Sequence, residues 1–277
     1  MKIRYIAIYS IIFWLVSFDN SAIGSENGMS HDIARVIENV SSSRLSETII
    51  HLQELGNRTT YDKQWETARW LQGQFKTNGV QVEIQSYELS GKIWPTVVAS
   101  IDGRNLEKQV VMLIAHLDSV SNSSDIIAPG ADDNGSGVAA VLEIARLLKG
   151  VALKRSVVFC VFSNEENDTK GSKAFVEKGK NNGLTEIQAV INLDSLGYNL
   201  PDRLFYIAPL KVQHPLKYKA KALYRMTKDY FLGLLEGYDV IKVAGRPPNG
   251  DLVKVTSAII RKYSDLTIKE MVKEDCG

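Results

Sequence analysis

Four short stretches of this sequence carry side chains that can bind a cation or move a proton. AHLDS supplies His116 and Asp118, APGADDNGSG supplies Asp132 and Asp133, SNEEN supplies Glu165 and Glu166, and NLDS supplies Asp194. Each alone has a plain structural explanation. A histidine after a strand is usually satisfied within the fold, a Glu-Glu pair usually lies in a solvated turn, and Asp133 beside Asn134 could simply cap a helix. Their coincidence shifts the balance, because like charges gathered at one edge repel and raise each other's pKa unless a cation compensates. For a mixed set of histidine and carboxylates, zinc is the leading cation.

The elements that must position these residues can be read from hydrophobic periodicity. Apolar residues recur three and four apart in HDIARVIENV, LSETIIHLQEL and QWETARWLQGQF, which predicts three helices between His31 and Gly79, the last ended by Asn78-Gly79. VQVEIQSYEL alternates as a half-buried strand and is followed by WPTVVASID. QVVMLIAHLDS, SVVFCVF and IQAVINLD are continuous apolar runs, the pattern of strands covered on both faces. Helical patterns lie between them at 136–148 and 170–179. This alternation predicts an α/β fold, a three-layer α/β/α domain with a central mixed, mostly parallel sheet. The polar clusters then fall at the carboxyl ends of the buried strands, where ligand sites of open α/β sheets lie.

The bulk properties exclude other classes. A chain of 277 residues with 44% hydrophobic content can bury a large core, and a net charge of +1 gives no nucleic-acid footprint. Lys2 and Arg4 precede an apolar run from Ile6 to Val16 and small residues near Ala22 to Ser25, so residues 1–25 read as a signal peptide and the product as secreted or periplasmic. That run is too short for a permanent membrane anchor. Residues 26–277 are expected to form one domain. Two cysteines, Cys160 and Cys276, are too few for a disulfide framework, and Cys160 sits in an apolar run as a small buried hydrophobe.

In order and separation, AHLDS, APGADDNGSG, NEENDTKGS and INLDS resemble the co-catalytic zinc aminopeptidases of peptidase family M28, and the resemblance covers roughly Leu52 to Asn199. It implies the zinc-peptidase fold, peptide or protein N-termini as substrate, and two zinc ions. By the same resemblance His116 and Asp194 hold one ion, Asp133 bridges both, and Glu166 binds the second. Asp118 orients the imidazole, Asp132 is the outward neighbour of the bridging residue, and Glu165 is the general base.

The family's fifth ligand, a histidine near the C-terminus, has no counterpart among His31, His51, His116 and His214. Family members carry a Ser-Asp-His stretch where this chain reads RKYSDLTIKEMVKEDCG, so the part from about residue 265 to 277 is atypical and reads as a truncated, frame-shifted or replaced tail. One zinc at high occupancy is the expectation, on His116, Asp133 and Asp194. Three readings follow: a secreted zinc aminopeptidase, a single-zinc enzyme resembling glutaminyl cyclases, and a catalytically silent homologue that binds peptides.

Overall fold

The computed structural model describes residues 36–104, 110–120, 129–182, 187–197, 240–245, 254, 257–258 and 267–272. The chain divides into two compact units, Met1–Gly197 and Tyr198–Gly277. The signal-peptide stretch, His31, His214, Ser264-Asp265 and Cys276 lie outside the described residues.

In the first unit the helical patterns become α1 (Ser42–Glu54) and α2 (Tyr61–Thr77). Ser41 starts α1 by accepting the Arg44 N–H at 3.3 Å. Gly79 ends α2 at φ 71°, a backbone conformation that suits glycine. Next come β1 (Gln81–Leu89), β2 (Lys92–Ile101) and β3 (Val110–His116). They are followed by α3 (Gly135–Leu148), β4 (Ser156–Phe162), α4 (Lys170–Asn182) and β5 (Ile187–Asn192).

These strands form one sheet in the order β1-β2-β4-β3-β5. Only β2 runs against the rest, since it pairs antiparallel with both β1 and β4, whereas β3 pairs parallel with β4 and with β5. Four of the five strands therefore point the same way, and the sheet is mixed as expected.

Strand alternation sorts the core into two layers. Val111, Leu113, Val157, Phe159 and Val97 are almost fully buried, and Phe159 packs against Phe75 of α2 with ring centroids 6.2 Å apart. On the even-numbered positions, Val110, Met112, Cys160 and Phe162 pack with Phe175 of α4. Burying each such Phe or Leu is worth about 1.5–3 kcal/mol. Cys160 is the inert buried residue expected, its thiol pushed up in pKa by burial.

The chain leaves β3 through α3 to reach β4 on one side, and leaves β4 through α4 to reach β5 on the other. Right-handed crossovers then place α3 and α4 on opposite faces, which opens a crevice above the adjacent carboxyl ends of β3 and β4. The run IQAVIN behaves differently from its neighbours. As the last strand of the sheet among the described residues, β5 leaves Ile187 39% and Val190 49% exposed, rather than being covered on both faces.

The second unit, taken by itself, contains a parallel pair, β6 (Val240–Gly245) and β7 (Thr267–Val272), in register from Val240 with Thr267 to Gly245 with Val272. A strand thus forms within the segment whose sequence departs from the family pattern. Among the described residues, no helix is long and apolar enough to cross a membrane.

Candidate metal centre

His116 is the last residue of β3, in register beside Phe162, the last of β4, whose carbonyl accepts the Leu117 N–H at 2.8 Å. Glu165 and Glu166 follow β4 by a short turn, Asp194 comes two residues after the end of β5, and Asp133 stands just before α3. Parallel strands deliver all of them to one edge. His116, Asp133 and Asp194 offer ligand atoms within 4.8 Å of one another, and so do His116, Glu165 and Glu166. His116 is common to both groups.

Both ring nitrogens of His116 face acceptors. Nε2 lies 3.1 Å from Asp133 Oδ1 and 3.7 Å from Asp194 Oδ1. Nδ1 lies 3.2 Å from the Asp118 carbonyl oxygen and 3.5 Å from Asp118 Oδ1. A neutral ring has one N–H and cannot satisfy both sides, so the metal-free ring carries two protons. A metal ion on Nε2 would replace one of them. Two ligands on one tetrahedral zinc, each at about 2.0–2.2 Å, sit roughly 3.3 Å apart, and the 3.1 and 3.7 Å separations bracket that value. The donor set fits zinc.

Asp118 is buried, and its carboxylate does more than face the imidazole. Oδ1 accepts the Glu165 N–H at 3.1 Å and Oδ2 the Glu166 N–H at 3.0 Å. One side chain therefore couples the orientation of His116 to that of the acidic turn. The turn is held from behind as well. Asn164, in the left-handed region at φ 53°, donates from Nδ2 to the Tyr87 hydroxyl at 2.9 Å, and its N–H donates to Gln64 Oε1 at 3.2 Å.

The loop before α3 is anchored by its small and polar residues. Asn134 is fully buried, accepts the Gly137 N–H on Oδ1 at 3.0 Å and donates from Nδ2 to the Leu193 carbonyl at 2.8 Å, which ties the Asp133 loop to the Asp194 loop. A Cβ at Gly137 would strike both Asn134 Oδ1 and the Leu193 carbonyl oxygen, so only glycine permits this approach. Asp132, the neighbour of Asp133, has partners of its own: its Oδ1 accepts the Gly197 N–H at 2.6 Å and the Ser136 hydroxyl at 3.0 Å. That leaves the exposed Asp133 carboxylate turned toward His116.

Arg58, Gln64, Tyr87 and Asn134 were not singled out by sequence. Arg58 is fully buried beside the site. Its only sequence trace is its place within LGNRTT, inside the stretch that resembles the family, and one arginine after a turn carries no signature of burial. His51, one of the histidines left over, stacks on Trp70 at 4.3 Å and belongs to neither ligand group.

The electrostatics fit a site that takes a cation. Burial lowers the pKa of His116, but Asp118, Asp133 and Asp194 together override it and hold the ring protonated up to about 12. Burial first, and then Asp133, pushes Glu166 up to about 7. Burial, with the Asp118, Asp194 and Asp133 charges, also raises Glu165. The His116 hydrogen bond holds Asp194 below its ordinary value.

Groups raised on folding stabilise the chain below their ordinary pKa and lose that contribution as pH climbs to the folded value. For Glu166 the loss runs from 4.5 to about 7, and for His116 from 6.5 to about 12. Asp194, with a lowered pKa, contributes fully above its ordinary 3.8 and adds no slope there. The metal-free chain is therefore expected to lose melting temperature from pH 5 to 9, while the gain on adding zinc grows, because zinc displaces a proton. Calorimetry in chelator and in zinc over that range checks this. Equal zinc gains at pH 5 and 9 would count against a protonated His116.

Comparison with known proteins follows the same residues. The family model described as peptidase family M28 matches residues 96–236, just over half the chain. A probable leucine aminopeptidase of Arthroderma otae is 32% identical over 181 residues, covering 60% of this chain and 47% of that protein. A probable zinc metalloprotease of Pyrenophora teres f. teres is 29% identical over 192 residues, with 60% and 41% covered. The chain thus spans about half the length of the curated relatives it matches. The solved structure of Legionella pneumophila LapA shares the fold, with a TM-score of 0.66 at 19% identity over 91% of this chain and 60% of that one. LapB of the same organism matches with a TM-score of 0.54 at 25% identity, over 68% and 52%.

Proposed function

The chain belongs to peptidase family M28, and from that premise we propose that it is an exported zinc aminopeptidase that hydrolyses the N-terminal peptide bond of peptides or proteins. The observation that carries the reading is His116, whose Nδ1 faces Asp118 while its Nε2 faces Asp133 and Asp194, with Glu165 and Glu166 on the adjoining turn. In this reading residues 26–277 form the peptidase domain behind the signal peptide 1–25.

His116, Asp133 and Asp194 would hold one zinc, three protein ligands with room for a fourth group, as catalytic zinc requires. Asp133 and Glu166 are the residues for a second ion, and one ion at high occupancy is expected. Zinc, when bound, polarises the scissile carbonyl and acidifies the attacking water. Asp118 keeps the Nδ1 proton of His116 in place, so that Nε2 presents its lone pair outward. Glu165 accepts a proton from the attacking water on a carboxylate oxygen and passes it to the nitrogen of the departing peptide. Its raised pKa, with burial the largest cause, brings it closer to neutral pH, where such a shuttle works best.

The test is hydrolysis of aminoacyl p-nitroanilides by the purified chain, lost in chelator and restored by zinc, with metal content measured alongside. Cyclisation of N-terminal glutamine, assayed in parallel, separates the cyclase reading. A zinc-loaded chain that performs neither reaction overturns the proposal and leaves the silent peptide binder.

A further inference from the structure

Building on the metallopeptidase reading above, we infer that Arg58 is a positioning residue for the metal-binding carboxylates, strapping the loop that carries Asp133 to the strand end that carries His116 and Asp118. Its guanidinium is fully buried and binds main-chain carbonyls from three separate segments. Nε donates to Leu117 at 2.8 Å, between His116 and Asp118. Nη1 donates to Pro129 at 2.7 Å, and Nη2 to Gly130 at 2.9 Å, at the start of the Asp133 loop. Nη1 also donates to Leu52 of α1 at 2.7 Å. The Arg58 main-chain N–H adds a bond to the Ser119 hydroxyl at 3.2 Å.

The strap reaches the ligands through very few covalent bonds. Gly130, held by Arg58, accepts the N–H of Gly135 at 2.9 Å, the first residue of α3. The turn that presents Asp133 thus springs from a point set at one end by Arg58 and at the other by the helix start. Gly130 adopts φ 51°, and a Cβ there would lie 2.7 Å from Arg58 Nη2, so glycine is what allows the guanidinium to seat.

A structural arginine would usually be neutralised by a bonded carboxylate, because removing a cation from water is costly. None of these five hydrogen bonds goes to a carboxylate. Compensation comes through space from Asp118 and Asp133, whose charges support the guanidinium against the burial that brings its pKa down to about 10. The cation and the acidic site are therefore one electrostatic unit. The planar fork is needed as well, since a lysine ammonium keeps the charge but cannot hold the same array of carbonyls.

The experiment compares the wild-type full chain with Arg58→Lys and Arg58→Met. Zinc affinity is read by chelator competition, ligand geometry by the visible spectrum of the cobalt-substituted chain, and kcat and KM separately. Both variants are expected to bind zinc 10- to 100-fold more weakly, the range for groups that orient metal ligands. Their cobalt spectra should change, and kcat should fall with KM within about twofold. Variants whose zinc affinity and cobalt spectrum match the wild type overturn the inference, whatever happens to their melting temperature. If neither variant folds, the Arg58 Nε–H resonance of the wild-type chain decides: a shift that tracks zinc to saturation supports the strap, and an unmoved resonance overturns it. A folded wild-type chain that takes up no zinc overturns the preceding proposal too, whereas wild-type binding with unaffected variants overturns this one alone.

Discussion

Asp118→Asn is expected to cut kcat/KM about 10³-fold, roughly 4 kcal/mol of transition-state stabilisation. Its effect should exceed that of an ordinary ligand-orienting carboxylate, which is worth about 10- to 100-fold, because this carboxylate performs two tasks. It faces His116 Nδ1, and its two oxygens separately accept the N–H groups of Glu165 and Glu166. Asparagine keeps the shape but replaces one acceptor with an NH₂ group, which must point at a main-chain N–H or at the imidazole N–H. Either way two donors meet in a buried place, costing about 1–3 kcal/mol in stability. The misplacement falls on both sides of the site, so zinc affinity should drop together with turnover. Metal content, melting temperature and kcat/KM of the variant check this, and a change of less than threefold in kcat/KM would mean that the two carboxylate contacts do not organise the site.

What could be read in the sequence was what depends on local pattern. The three continuous apolar runs mark β3, β4 and β5, the helical patterns between them mark α3 and α4, and the polar residues after each run fall at the carboxyl edge because parallel strands share that edge. Strand order was not legible. That β2 inserts beside β4, with β3 beyond it, depends on which long-range pairings bury the most surface, and WPTVVASID reads the same in any place in a sheet. Exposure of β5 was hidden for the same reason, since IQAVIN has the composition of a central strand and lies last in the sheet among the described residues.

Within the site, His116, Glu165, Glu166 and Asp194 announced themselves as titratable groups at strand ends, and Asp133 as one in the loop before a helical pattern. The residues that hold them did not. The cap of α3 is Asn134, one residue after the Asp133 that the sequence offers for that place, and its Nδ2 also binds the Leu193 carbonyl 59 positions away. Asp132 has the same side chain as Asp133, and the Gly197 N–H and Ser136 hydroxyl that it accepts hold it apart from the cluster. Arg58 reaches residues 59 to 72 positions later in the chain. Such contacts are made by tertiary structure, and a single sequence carries no periodicity that marks them.

The adjacent glutamates provide the sharpest separation of roles. Glu165→Gln is expected to lower kcat by 10²- to 10⁴-fold, the usual contribution of a general base, with zinc content unchanged. Glu166→Gln is expected to reduce metal occupancy first and activity as a consequence, so that added zinc recovers part of it. The basis is position and charge. Both N–H groups are fixed on Asp118, so the amide substitutions leave the turn in place and alter only the side-chain chemistry. Glu166 feels Asp133 as its strongest repulsive charge, as a residue sharing a cation with Asp133 would, and burial and Asp133 together bring it to about 7. Glu165 feels His116 first among its charges and Asp133 only last, after Asp118 and Asp194. A carboxylate that does not share a cation with Asp133 can take up and release a proton during turnover, whereas one committed to that cation cannot. Zinc counted per chain, set beside kcat for each variant, separates the two roles: full zinc with lost turnover at Glu165 and lost zinc at Glu166 fits the assignment, and the reverse pattern exchanges it.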